Sequence, residues 1–168
     1  MDIKILTINK NKILSLAQFG ILLSISIIAP LFHFQPITGP IVNACLFIAT
    51  ALLGVQAGIM LGLLPSLIAL SVGTLPVPLA PMVPFIMASN AIMVVAFASV
   101  RHMSDTVAII TASILKFLFL FSTSYIVIHL ITQKPIAQKA ATMMSWPQLT
   151  TALIGGLIAF AFLRFYKK

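Results

Sequence analysis

TVAIITASILKFLFLFSTSYIVIHLI, residues 106–131, runs for 26 residues with one charged side chain, Lys116. A helix of this length exceeds what a ~30 Å hydrocarbon core requires, about 17–25 apolar residues. Five more apolar runs lie on either side: Ile13–Phe32, Ile37–Leu53, Ala57–Val72, Met82–Val100 and Trp146–Phe165. The whole chain is 61% hydrophobic and 7% charged, with a mean hydropathy of +1.17. A soluble domain carries roughly 25% charged residues, so lipid must solvate most of this surface. The expected fold is an all-α integral membrane protein, a compact bundle of six transmembrane helices. A basic cytoplasmic tail, 1–12, precedes a single membrane domain, 13–168. The second and third runs are short enough to form a hairpin that does not fully cross.

The tail MDIKILTINKNK before an apolar run has the outline of a signal peptide. Ile13–Phe32 is longer than the usual ~7–15-residue apolar region of such peptides, and no A-x-A site follows. It therefore reads as a retained first helix. Pro36 and Pro40 punctuate the entry to span two, and Gly54 allows a tight turn before span three. Residues 74–84, TLPVPLAPMVP, hold four prolines and cannot form a regular helix throughout. Pro65 removes one hydrogen bond from span three and predicts a kink. Ser145-Trp146-Pro147-Gln148 matches the S-x-x-Q capping pattern at the start of span six.

Lysine and arginine set the expected orientation. With six spans, Lys4, Lys10, Lys12, Arg101, Arg164, Lys167 and Lys168 fall on the side of the termini, and only Lys134 and Lys139 on the other. The positive-inside rule places both termini in the cytoplasm and loops 33–36, 74–81 and 132–145 outside. Trp146 then sits at the outer boundary. The net charge of +8 belongs to these flanks, with no basic stripe interleaved with aromatics, so no nucleic-acid partner is expected.

Small residues recur at four-residue spacing. Span three carries Gly54, Gly58, Gly62 and Ser66, span six Thr151, Gly155 and Ala159, and span one Gly20 and Ser24. Such rows let helix backbones approach closely. They serve either packing within the bundle or docking on a partner membrane protein.

The polar residues inside the spans are few. Lys116 lies eleven residues past Asp105, about 16 Å along the helix, near mid-membrane. An ammonium there either faces the protein interior as part of a polar site or snorkels to water. Asn43, Asn90 and Gln148 fall in the expected outer halves of spans two, four and six. They act as interhelical hydrogen-bonding groups or as parts of one polar pocket. Trp146 and Phe119 are candidate apolar walls, Phe119 being three residues from Lys116.

The two acids, Asp2 and Asp105, lie outside the spans. Paired carboxylates, a phosphate loop and a nucleophile elbow are absent from the sequence, so neither acid–base catalysis nor P-loop ATP hydrolysis is expected. His33 and His129, both expected near the outer surface without thiolate or carboxylate partners, make a poor metal site, and no metal or cofactor is expected. Cys45, the lone cysteine, reads as a small buried hydrophobe.

The run from Gln35 to Val100, QPITGPIVNACLFIATALLGVQAGIMLGLLPSLIALSVGTLPVPLAPMVPFIMASNAIMVVAFASV, with six spans and cytoplasmic termini, resembles the substrate-binding S component of energy-coupling factor transporters. The resemblance implies a compact six-helix protein in a prokaryotic plasma membrane that captures a vitamin or similar micronutrient from outside. It implies a transmembrane coupling subunit and two cytoplasmic ATPases as partners. Small residues in the first helix of such proteins often make the coupling contact, and Gly20 and Ser24 match that spacing. One branch takes up nickel or cobalt through a histidine near the amino terminus, and Met1-Asp2-Ile3 lacks it. With Lys116, the amides and no buried acid, the expected ligand is anionic or neutral, with Lys116, Asn43, Asn90, Gln148, Trp146 and Phe119 as its contacts. The contrasting reading is a non-transport scaffold or accessory subunit of a larger complex.

Overall fold

The computed structural model describes residues 10–32, 34–73, 77–130 and 134–166. These residues form α1 (Lys10–Ile28), α2 (Gln35–Leu53), α3 (Val55–Ser71), α4 (Val83–Val100), α5 (Asp105–Leu130), α6 (Lys134–Met143) and α7 (Trp146–Tyr166). Two 3-10 segments, Ala29–Phe32 and Val77–Met82, lead into α2 and α4. There is no strand among the described residues. Lipid supplies no hydrogen bonds, so each apolar run satisfies its backbone internally as a helix. Among the described residues, five helical segments are long and apolar enough to cross a membrane, and α3, at 17 residues, is shorter.

The proline-rich stretch behaves as its chemistry requires. Val77–Met82 is a 3-10 turn with Pro81 inside it, and α4 begins at Val83 with Pro84 in its first turn. Proline is tolerated there because the first amides of a helix have no intrahelical partner. The same device opens α2, where Pro36 follows Gln35. Pro40 does not delay α2 but lies inside it, and α3 stays helical across Pro65. Gly54 joins α2 to α3 at φ +93°, in the left-handed region that glycine enters without steric cost.

One expected loop is a helix. The sequence places residues 134–143 in an outer loop, yet they form α6. The signal was present in the sequence: Ala137, Ala140 and Met144 are buried, while Gln138 and Lys139 are exposed. Intervals of three and four put the buried group on one helical face. That face packs with Met82, Leu120 and Val127.

Helix packing answers the small-residue question for two of the three rows. A Cβ on Gly62 would lie 2.9 Å from Asn90 Cβ, and one on Gly58 2.9 Å from a Val94 methyl, so this row lets α3 sit against α4. On α7, a Cβ on Gly155 would lie 2.7 Å from both Asn43 Cβ and the Pro40 carbonyl oxygen. On α2, a Cβ on Gly39 would lie 2.7 Å from Thr151 Cβ. The pairs 39/43 and 151/155 thus interlock glycine against side chain in both directions. Gly20 on α1 has nothing within 4 Å of such a Cβ, and Ser24 is exposed.

The core of the bundle is built around Leu46, Phe47, Leu61, Met93 and Phe97, with the Phe47 and Phe97 rings edge to face at 5.0 Å. At the end where α5 begins, Arg101 bridges three groups. Its Nε donates to Asp105 at 2.8 Å, a second guanidinium N–H donates to the Ala51 carbonyl at 3.0 Å, and the group lies over the Phe97 ring. This tie joins the α4–α5 turn to α2, at the opposite end of the bundle from α6.

Candidate functional site

Three helices bring their polar residues to one point. Lys116, in the middle of α5, donates to Asn43 Oδ1 of α2 at 2.5 Å and to Asn90 Oδ1 of α4 at 2.7 Å. Lys116 is only 4% exposed. It does not snorkel: its head group is held inside the bundle. Asn90 in turn donates from Nδ2 to the Gly62 carbonyl at 2.9 Å. The glycines described above set this geometry. Gly155 brings the α7 backbone onto Asn43, and Gly62 brings α3 onto Asn90.

Above the triad lies a cavity of about 130 Å³ whose walls include Asn43, Asn90, Lys116 and Gln148. Its other polar walls are Gln35, Thr38 and Ser66; Val42, Pro65, Met143 and Met144 are among the apolar ones. Among the described residues, no aspartate or glutamate lines it. Small-molecule pockets usually span roughly 300–1,000 Å³, so a vitamin-sized guest requires the walls to yield. Methionine has three side-chain rotors and a polarisable sulfur, which suits Met143 and Met144 to that adjustment.

Gln148 reaches the cavity by way of a turn. Its Nε2 donates to the Met143 carbonyl at 3.1 Å, and Ser145 Oγ donates to the Thr142 carbonyl at 2.7 Å. The S-x-x-Q sequence therefore marks the start of α7, but these side chains close the carbonyl end of α6 instead of capping the amides of α7.

Trp146 and Phe119 are not among the cavity-lining residues. Trp146 is 67% exposed and stacks on Phe117 at 5.3 Å, with Phe121 beyond it. The reason is angular. Two residues along a helix is about 200°, so with Gln148 facing inward Trp146 faces outward. Phe119 is half-buried on α5, offset around the helix from Lys116. Trp146 is the chain's only tryptophan, so the protein's indole emission is its own. In proteoliposomes, lipids brominated near the headgroup end of the acyl chain should quench that emission more strongly than lipids brominated near the terminal methyl. Stronger quenching by the deep bromine would remove Trp146 from the interface.

Sequence reading missed Gln35, Thr38 and Ser66, polar residues that look like turn or packing residues until the helices are assembled. It also missed Met143 and Met144, which fell in the presumed loop. His33 lies outside the described residues, as does the side chain of His129. Among the described residues, no three histidine, cysteine or acidic side chains are grouped as a metal would require.

Among the described residues, the arrangement brings hydrogen-bond donors, acceptors and the Lys116 ammonium together. Such a set of groups can hold a small polar molecule. Comparison with known proteins agrees. The model of the family described as "ECF transporter, substrate-specific component" matches residues 14–163. No curated protein and no solved structure matches the chain. The family match spans nearly every helix of the bundle, including all three that form the triad, and the chain belongs to the substrate-specific components of ECF transporters, as a substrate-binding subunit and not a catalytic one.

Proposed function

We propose that this subunit captures a small, anionic or neutral, vitamin-like micronutrient from outside a prokaryotic plasma membrane and holds it in the cavity above Lys116. The observation that carries the reading is the convergence of Asn43, Asn90 and Lys116 from three helices on the wall of one cavity. Six crossings put both termini, and the basic segment 1–12, in the cytoplasm, consistent with the lysine and arginine distribution. Residues 13–168 act as one membrane domain, and the cavity then opens toward the outer face, where α6 lies.

Transport requires an energy source this chain lacks. A transmembrane coupling subunit and two cytoplasmic ATPases supply it, as family membership implies. Gly20 and Ser24 are the contact we assign to the coupling subunit. Both are exposed on α1, and Ser24 bonds back to the Gly20 carbonyl at 2.8 Å, which leaves a flat, small surface. A leucine at Gly20 meets no atom within 4 Å of its Cβ, so G20L should fold normally. It should retain solute, yet lose co-purification with the coupling subunit.

Purification from native membranes tests the whole reading. ATPases and a retained small molecule should accompany the wild-type chain. A stable complex containing neither would make it a scaffold. G20L that still recruits the coupling subunit would move the docking face elsewhere.

A further inference from the structure

We infer that the chemical group seated over Lys116 is a carboxylate. The inference rests on the cavity being the ligand site and narrows the ligand's chemistry.

The charge balance of the site is one-sided. Lys116 is almost wholly buried and its two hydrogen-bond acceptors, Asn43 Oδ1 and Asn90 Oδ1, are neutral amide oxygens. These satisfy two N–H groups but supply no counter-charge. Among the described residues that line the cavity there is no acid. Asp105 is at the other end of the bundle, bound to Arg101. A buried cation without a counter-ion is the costly case for a protein interior, and here the missing anion is the ligand's to provide.

Donor counting gives the same answer. An ammonium has three donors and a carboxamide two. Two of the Lys116 donors are used, which leaves one N–H at the wall of the cavity. The NH₂ of Asn43, whose oxygen is already on Lys116, provides further donors beside it. A carboxylate accepts at two oxygens and matches adjacent donors of this kind. Helix dipoles do not decide the sign, since α2 and α7 begin at the cavity while α1 and α3 end there.

The single cation also bounds the charge. A phosphate monoester brings close to two negative charges and would leave one unmatched. A neutral ligand leaves the ammonium as it is, and a cationic one adds repulsion. A single negative charge, as on a carboxylate, brings the site to neutrality, and the adjacent donors fit its two oxygens.

Matched acid and amide probes test this directly. The wild-type chain in lipid nanodiscs is titrated at neutral pH with nicotinate and nicotinamide, biotin and biotinamide, and lipoate and lipoamide. In parallel, small molecules are extracted from chain purified out of native membranes. The expected result is an extracted compound that forms a methyl ester, or at least one pair in which the acid binds more than tenfold tighter than its amide. Lys116→Met should erase that preference. Amides that bind as well as their acids, or an extracted compound with no carboxyl group, overturn the inference but leave the cavity as a ligand site. A chain that holds neither probe nor extract overturns both.

Discussion

Lys116→Met loses about 10–100-fold in affinity for the retained solute and keeps its fold. A hydrogen bond to a charged group contributes about 1.5–3 kcal/mol, and each 1.4 kcal/mol is tenfold in affinity. Stability responds in two opposing ways. The substitution strips the donor from Asn43 Oδ1 and Asn90 Oδ1, at about 1–3 kcal/mol for each oxygen left dry. It also removes a buried charge whose desolvation costs several kcal/mol. Asn43 and Asn90 both line the cavity, where water can replace the lost donor, so the second effect balances or exceeds the first. The ligand-free variant should therefore melt no lower than wild type in detergent. Equilibrium binding of the extracted solute to both proteins is the check. Unchanged affinity would take Lys116 out of the site, and a collapsed variant would make it a structural residue.

Gly155→Ala should be the most damaging one-carbon change in the bundle. The added Cβ would sit 2.7 Å from Asn43 Cβ, 2.7 Å from the Pro40 carbonyl oxygen and 2.9 Å from the Ala44 nitrogen. Two of these are backbone atoms of α2, which cannot rotate away as a side chain can. The helices must part, and overpacking of this kind costs about 1–3 kcal/mol. The displaced element carries Asn43, so solute binding falls with stability. Gly20→Ala is the matched control: its Cβ meets nothing within 4 Å, and alanine favours a helix by about 1 kcal/mol. Thermal melts of the two variants should move in opposite directions. A Gly155→Ala protein with wild-type melting would mean that α2 and α7 are not in the close register described.

The two glycines differ only in what surrounds them, and the sequence did not distinguish them. Gly20, Gly62 and Gly155 all sit in small-residue rows at the same spacing. Only the packed helices separate the two that seat Asn90 and Asn43 from the one that faces outward. α6 shows a different failure. Its buried residues Ala137 and Ala140, with Met144 just past its end, have helical spacing, but the segment is short and flanked by polar residues, so its sequence resembles a loop. The sequence offers Trp146 as a candidate wall of the pocket. Rotation about α7 puts it on the outside and leaves Gln148 to face the cavity.

Apolar runs, prolines and charged flanks determined the helices and their place in lipid. That level of structure is local: a chain segment in hydrocarbon has only its own backbone to bond with, and proline and glycine act on their own residues. The site is not local. Lys116 meets Asn43 across 73 residues and Asn90 across 26. Whether those heads meet depends on how each helix is rotated and how closely it packs. Only the tertiary structure, through Gly62 against Asn90 and Gly155 against Asn43, decided that these three polar groups share one cavity.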